Sequence, residues 1–432
     1  MSTFEFIKTY LSNRLVLNKL SIFLIFVLTV FLYSSCKKKD LENIEYQIDT
    51  VLYDSIPFWE KTVPINKGGF HSIKPAIFED EVVYFDDFNT GSYFFYNKLN
   101  GNFTSSIPNI IKGYSGTDQY YLNQNFWTIG IRNKYIQTID LKLKKIISNY
   151  TFPDIALPTN NLSGLNDYCY ASYIKYEKIN DSLYYNCFPF RCNYLNNQFD
   201  TFVSIRLLYS NILNISPPVF FINNSNDTLA IYKYFEYDLQ NDEDPNSPRS
   251  LNLIAININK NTIEWNIPKI SIYDRNYNYD KVTIKDNIAL LYNSNEIFKI
   301  DCNIGKIIQT FTIPNVFIDE ISVNNNDINF VSYKNTIYNI DFQTGAIKWS
   351  YYNGLNLSNS IQTYNGVLYN LRYIDYKYEL HGINLSTGKL VWVYKFKDNE
   401  SIGVSDMTID PNTGLLYSSN YEKILCIKLP KF

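Results

Sequence analysis

A five-residue turn signature recurs along this chain at a nearly fixed distance, and a recurrence of that length restricts the fold more than any local propensity does. It begins with Asp or Asn and ends with Gly or a substitute: NKLNG at 97–101, DLKLK at 140–144, NINKN at 257–261, DCNIG at 301–305, DFQTG at 341–345 and NLSTG at 384–388. Neighbouring copies lie roughly 40 to 44 residues apart, a period that signals a propeller or solenoid built from repeated supersecondary units. The stretch between Asp140 and Asn257 is long enough for two units with insertions. Each turn follows an alternating apolar run, as in NTIYNID, and precedes another, as in AIKWSYY or KLVWVYKF. Strand, tight turn and strand is a hairpin. The first residue can bind turn amides with its side chain, and the Gly supplies a positive φ; Asn261 tolerates that conformation well and Lys144 less readily.

Four-stranded units at this spacing make the blades of a β-propeller. Counting outward from the turns, blades fall near 66–108, 113–152, 165–212, 217–268, 279–313, 318–353 and 359–397. The C-terminal MTIDPNTGLLYSSN and KILCIKL supply the inner strands of one more. SIPFWEKTVP at 55–64 places Trp59 as Trp265, Trp349 and Trp392 are placed in their units, so the N-terminal strand is expected to complete the last blade and close the ring. The fold class is therefore all-β, a single eight-bladed propeller of four-stranded antiparallel blades, with seven blades as the alternative. Closure removes two exposed sheet edges. The repeated Trp residues, on outer strands, are expected to wedge between blades and bury apolar area.

Composition agrees with a well-packed β protein. Hydrophobic residues make up 46% and aromatic residues 17%, while charged residues are only 19%. A net charge of −3 without a basic stripe argues against nucleic-acid binding.

The N-terminus reads as an export signal. Lys8, Arg14 and Lys19 precede the apolar run SIFLIFVLTVFLYSS at 21–35, which is short for a membrane span, and Cys36 follows two small residues. YSSC resembles the lipobox of bacterial lipoproteins, with Tyr33 where Leu is usual, and the resemblance implies lipidation of Cys36. The division that follows is 1–35 signal peptide, 36–54 flexible tether and 55–432 propeller. CKKKD beside the lipid keeps the tether soluble or meets anionic head groups.

The repeat itself, an aliphatic strand, the Asp-x-x-x-Gly turn at Asp301–Gly305, Asp341–Gly345 and Asn384–Gly388, then Trp four residues later, resembles the PQQ-like repeat of quinoprotein-type propellers. Along the whole chain the resemblance is to the BamB-like outer-membrane assembly lipoproteins. It implies an outer-membrane, lipid-anchored protein with protein partners at its loops and no catalytic activity, cofactor or metal. Two other functions compete: a quinone- or metal-dependent dehydrogenase, and a surface lipoprotein binding a glycan or small ligand. Quinoprotein enzymes carry adjacent cysteines near the cofactor, and no Cys-Cys pair occurs here. The only histidines, His71 and His381, are read as structural, which leaves no Ser-His-Asp constellation. The acidic loop DLQNDEDPNSPRS at 238–250 begins like a calcium loop, but Leu253 stands where the closing Glu belongs, so it reads as a solvated insertion. Cys169, Cys187, Cys192, Cys302 and Cys426 cannot all pair; CFPFRC at 187–192 closes a small loop or holds buried thiols.

Overall fold

The computed structural model describes residues 51–432 apart from the segments 63–74, 87–91, 109–116, 124–125, 132–134, 152–156, 159–162, 180–181, 194–197, 203–204, 209–213, 217, 238–248, 274–281, 294, 315, 325, 333–335, 353–360, 375–376, 397–406 and 420–422. His71, Cys36 and nearly all of the acidic insertion lie outside the described residues, as does the Cys187 side chain. Among the described residues no helix is long and apolar enough to cross a membrane.

The strands form eight sheets, each antiparallel at its core. In chain order the simplest are the first (Ala76–Phe78, Glu81–Asp86, Ser92–Asn97, Phe103–Ile107), the second (Thr117–Asn123, Phe126–Ile131, Tyr135–Asp140, Lys145–Thr151), the fifth (Thr283–Lys285, Ile288–Tyr292, Glu296–Asp301, Lys306–Thr312) and the sixth (Ile318–Asn324, Asp327–Ser332, Thr336–Asp341, Ile347–Tyr352). The recurrent turn joins the two outer strands in each of them. The third sheet is built on two long strands, Tyr168–Ile179 and Ser182–Asn193, flanked by short interrupted ones. The fourth has Thr228–Tyr237, Arg249–Asn257 and Thr262–Tyr273 behind a split inner strand.

The seventh and eighth sheets borrow from the N-terminus. Trp59–Thr62 pairs antiparallel with Lys423–Lys428, placing Trp59 opposite Cys426, and so completes the sheet begun by Thr408–Asp410 and Leu415–Ser419. Leu52–Asp54 runs parallel to Leu390–Lys395 as a fifth strand on the seventh sheet. This corrects the sequence boundary: residues 52–54, assigned above to a tether ending at 54, belong to the folded unit, which begins at Thr50. Three residues are too few to show alternation, and their pairing partner lies more than three hundred positions away.

Each sheet packs on the next. Phe95 and Tyr93 meet Ile139 and Leu141 between the first and second, and the inner strands of the second and third touch. Tyr170 and Phe202 pack with Tyr232 and Ile254, then Leu253 and Trp265 with Phe298 and Cys302. Ile297 and Phe311 reach Phe330 and Phe342, and Trp349 and Tyr351 reach Leu368 and Ile383. Trp392 and Tyr369 meet Leu416 and Ile427. The eighth sheet packs on the first through Trp59, Tyr417 and Cys426 against Tyr84 and Tyr96. The core is therefore a circuit of inter-sheet layers rather than one central mass, as a propeller requires.

Candidate functional site

The repeated residues converge on the junctions between sheets. At each turn the first side chain folds back on the chain: Asp301 Oδ1 accepts from Asn303 N at 2.8 Å, Asp341 Oδ1 from Gln343 N and Thr344 N at 3.0 and 2.8 Å, and Asn384 Oδ1 from Ser386 N and Thr387 N at 3.0 and 3.1 Å. Hydrogen bonds from the Thr344 amide and hydroxyl and from Lys348 pull the Asp341 carboxyl down to about 2. The turn closes with a residue at positive φ, and at Lys144 (φ 50) and Asn261 (φ 56) the left-handed backbone persists without glycine. Lys144 is held there partly by Glu81, 2.7 Å from its ammonium.

The tryptophan of one sheet lies on the turn of the next. Trp59 Nε1 donates to Lys98 O at 2.9 Å, Trp265 Nε1 to Cys302 O at 2.9 Å and Trp349 Nε1 to Leu385 O at 2.7 Å. Each acceptor is the second residue of a turn, and the indole covers the turn glycine beyond it. A β-carbon on Gly388 would stand 2.6 Å from the Trp349 ring, and one on Gly305 would collide with Trp265. Glycine at these positions is thus required twice, for φ of +70 and +60 and for the approach of an indole. Across the sheet each of these rings faces a small or narrow residue: Trp59 faces Cys426, Trp265 faces Ala255 and Trp349 faces Asn339.

Trp392 departs from this pattern. It faces Gly382 and is fully enclosed, but the space above Gly414 in the eighth sheet is filled by Tyr364. Its strand is also not the outermost, because Leu52–Asp54 covers it. The sequence equated it with the other three, since spacing alone cannot register a strand added from far away.

The junction of the fifth and sixth sheets solves the same problem with other residues. Gln309 occupies the position four after Gly305 where tryptophan is expected, and Phe311 covers Gly345 instead. Phenylalanine has no N–H to offer the turn carbonyl. Lys299, opposite Gln309 and only 3% exposed, supplies it: its ammonium donates to Phe342 O at 2.9 Å and to Gln309 Oε1 at 3.0 Å, beneath the Phe342 ring at 4.4 Å. Burial lowers its pKa, and the charge of Asp341 opposes this. The sequence reading missed this trio, although the glutamine at the tryptophan position is a visible signal.

His381 lies at the junction of the sixth and seventh sheets. Its Nε2 is 2.9 Å from Glu379 Oε2 and its Nδ1 is 2.7 Å from the Tyr351 hydroxyl. An ionised carboxylate only accepts, so Nε2 carries the proton; the neutral ring then accepts from Tyr351 at Nδ1. Burial lowers the His381 pKa against the opposing Glu379 hydrogen bond, and Arg372 and Lys395 also disfavour its charge. The Glu379 carboxyl is lowered chiefly by the hydrogen bond from His381. Both shifts act in one direction. Histidine stability is complete above its ordinary pKa, about 6.5, and declines as pH falls through that range; the Glu379 contribution is lost at still lower pH. The melting temperature is expected to fall between pH 7 and pH 5 by more in the wild type than in His381→Gln, and parallel curves would show that His381 is not responsible.

Cys169, Cys192, Cys302 and Cys426 are free, buried thiols whose pKa values burial raises. Cys169 and Cys192 are direct cross-strand partners. Pro189 has no N–H, so its pair with Ser172 is of the non-hydrogen-bonded type, and alternation makes Cys169–Cys192 the wider, hydrogen-bonded type. Its β-carbons stand farther apart than a disulfide prefers. Among the described residues no group of three His, Cys, Asp or Glu side chains could hold a metal ion.

Fold and junctions together define a β-propeller of four-stranded antiparallel blades, consistent with a BamB-like PQQ-repeat protein. Residues 281–430, the fifth to eighth sheets, match the family model described as outer membrane protein assembly factor BamB. A search of curated proteins finds no match. Among solved structures, BamB from Moraxella catarrhalis is similar with a TM-score of 0.56 at 10% identity, covering 87% of this chain and 99% of that one. Sqt1 from Saccharomyces cerevisiae gives 0.57 at 11%, covering 85% and 98%. The computationally designed Ika8 protein gives 0.54 at 9%, covering 88% and 99%. At these identities the likeness is one of fold.

Proposed function

We propose that this chain is an exported lipoprotein, anchored through Cys36 to the bacterial outer membrane, whose eight sheets close as one eight-bladed ring acting as a non-catalytic protein-binding scaffold. Its specific role in this reading is outer-membrane β-barrel protein assembly. The observation that carries the reading is the match of residues 281–430 to the BamB family model in a chain that also carries an apolar N-terminal run ending at Cys36. The ring count rests on the eight inter-sheet layers, the last of which joins the eighth sheet to the first. A scaffold role agrees with the use of the repeated aromatic residues, Lys299 and His381 as junction fillers, which leaves the loops to meet partners.

Affinity capture from detergent-solubilised membranes tests it. Recovery of a barrel-assembly component is the expected result, and its absence would overturn the specific role. Cys36→Ser should move the protein out of the membrane fraction; unchanged attachment would overturn lipidation at that residue.

A further inference from the structure

Exposed large apolar side chains among the described residues come mostly singly or in pairs on separate sheets, with one exception. Within the seven residues 52–58, Leu52, Tyr53, Ile56 and Phe58 are all exposed, Tyr53 at 64% and Ile56 at 77%. This segment runs from the outer edge of the seventh sheet to that of the eighth, so the patch lies on the circumference of the circuit. Two exposed lysines flank it: Lys395 Nζ is 5.0 Å from the Tyr53 ring centre and Lys428 Nζ is 5.9 Å from that of Phe58. The nearby carboxylates are occupied. Asp54 Oδ1 accepts from Ser55 N and Ile56 N at 2.7 and 3.0 Å, and Glu60 lies 3.7 Å from the Lys423 ammonium.

We propose that the apolar segment 52–58 with Lys395 and Lys428 docks on the surface of a lipid bilayer. Aromatic and aliphatic side chains beside lysines suit the boundary between head groups and acyl chains, where apolar parts enter and ammonium groups meet lipid phosphate. Chain length favours this occupant over a protein. Leu52 is 16 residues from Cys36, at most about 55 Å of extended chain, so a lipid-anchored protein keeps this patch within reach of the bilayer at all times. Docking rests on the anchor reading above and adds an orientation to it. The propeller stands on its rim, and both faces of the circuit stay open to partners.

The test uses the lipidated full chain in vesicles of phosphatidylethanolamine and phosphatidylglycerol, on a Cys187→Ser background. Tyr53→Cys and Ile56→Cys, and as controls Ile222→Cys on the fourth sheet and Ile304→Cys in the turn of the fifth, both similarly exposed but away from the patch, are labelled singly with a polarity-sensitive dye, and lipid-borne spin labels serve as quenchers. Quenching at 53 and 56 is expected to exceed that at 222 and 304 at least fivefold, and equal quenching at all four would overturn the proposal. In a second arm the unlipidated chain starting at position 36 with Cys36→Ser, which lacks the apolar run 21–35, binds the same vesicles, and Ile56→Ser with Phe58→Ser weakens binding roughly tenfold or more. No change would overturn docking, as would a concentration-dependent dimer lost in the same double variant, which would assign the patch to a second copy. Failure of the anchor appears separately, in fractionation of Cys36→Ser.

Discussion

Trp265→Ala is expected to destabilise the protein by about 3–5 kcal/mol, read as a lowered midpoint in urea or guanidinium unfolding followed by tyrosine and tryptophan fluorescence. Two losses add. The indole fills the layer between the fourth and fifth sheets among Leu253, Ala289, Phe298 and Cys302, so its removal leaves a cavity that rigid sheets on both sides cannot close. The carbonyl of Cys302 also loses the buried donor now 2.9 Å away. Trp265→Phe separates the two: it keeps most of the apolar volume, leaves the carbonyl unpaired, and should cost about 1–2 kcal/mol. A loss below about 1 kcal/mol for the alanine variant would mean that the junction does not depend on the ring.

Deleting the chain up to residue 62 should have an effect of at least similar size and a different character. The strand Lys423–Lys428 would lose its outer partner, and the layer between the eighth and first sheets would lose Trp59 from its contacts with Tyr84, Tyr96 and Tyr417. Expected are destabilisation of about 4 kcal/mol or more and self-association through the open edge, seen by size-exclusion chromatography at rising concentration. The point variant Trp59→Ala should share the lower stability without the association, because its strand still covers the edge. A truncated protein that stays monomeric and melts at the wild-type temperature would show that the N-terminal strand does not seal the eighth sheet.

The fold was legible where turn and spacing repeat together. Asp301, Asp341 and Asn384 located three hairpins because an Asx side chain and a positive φ are local requirements, written in five consecutive residues. Lys144 shows how far the signal survives loss of glycine: its turn keeps φ of 50 with an ion pair to Glu81 in support. The third and fourth sheets blurred the period, since strands as long as Tyr168–Ile179 and Thr262–Tyr273 displace every later position and their partners are interrupted. What fills a junction was harder to read than where it lies. Lys299, Gln309 and Phe311 replace one tryptophan through contacts that cross two sheets, and the bond from Tyr351 to His381 spans another pair. Such couplings are decided by distance in space, which no spacing along the chain records. The strand Leu52–Asp54 went unseen for the same reason.

The pairing of Trp59 with Cys426 also sets an order of events during synthesis. Among the described strands, the one that completes the eighth sheet is preceded only by Leu52–Asp54, and its partner Lys423–Lys428 is the last made. Every intermediate length of chain therefore carries an orphan strand at one end and an unsealed sheet at the other, so cooperative folding must wait for the final residues. Slow completion is the kinetic counterpart of a fold whose first and last strands hold each other.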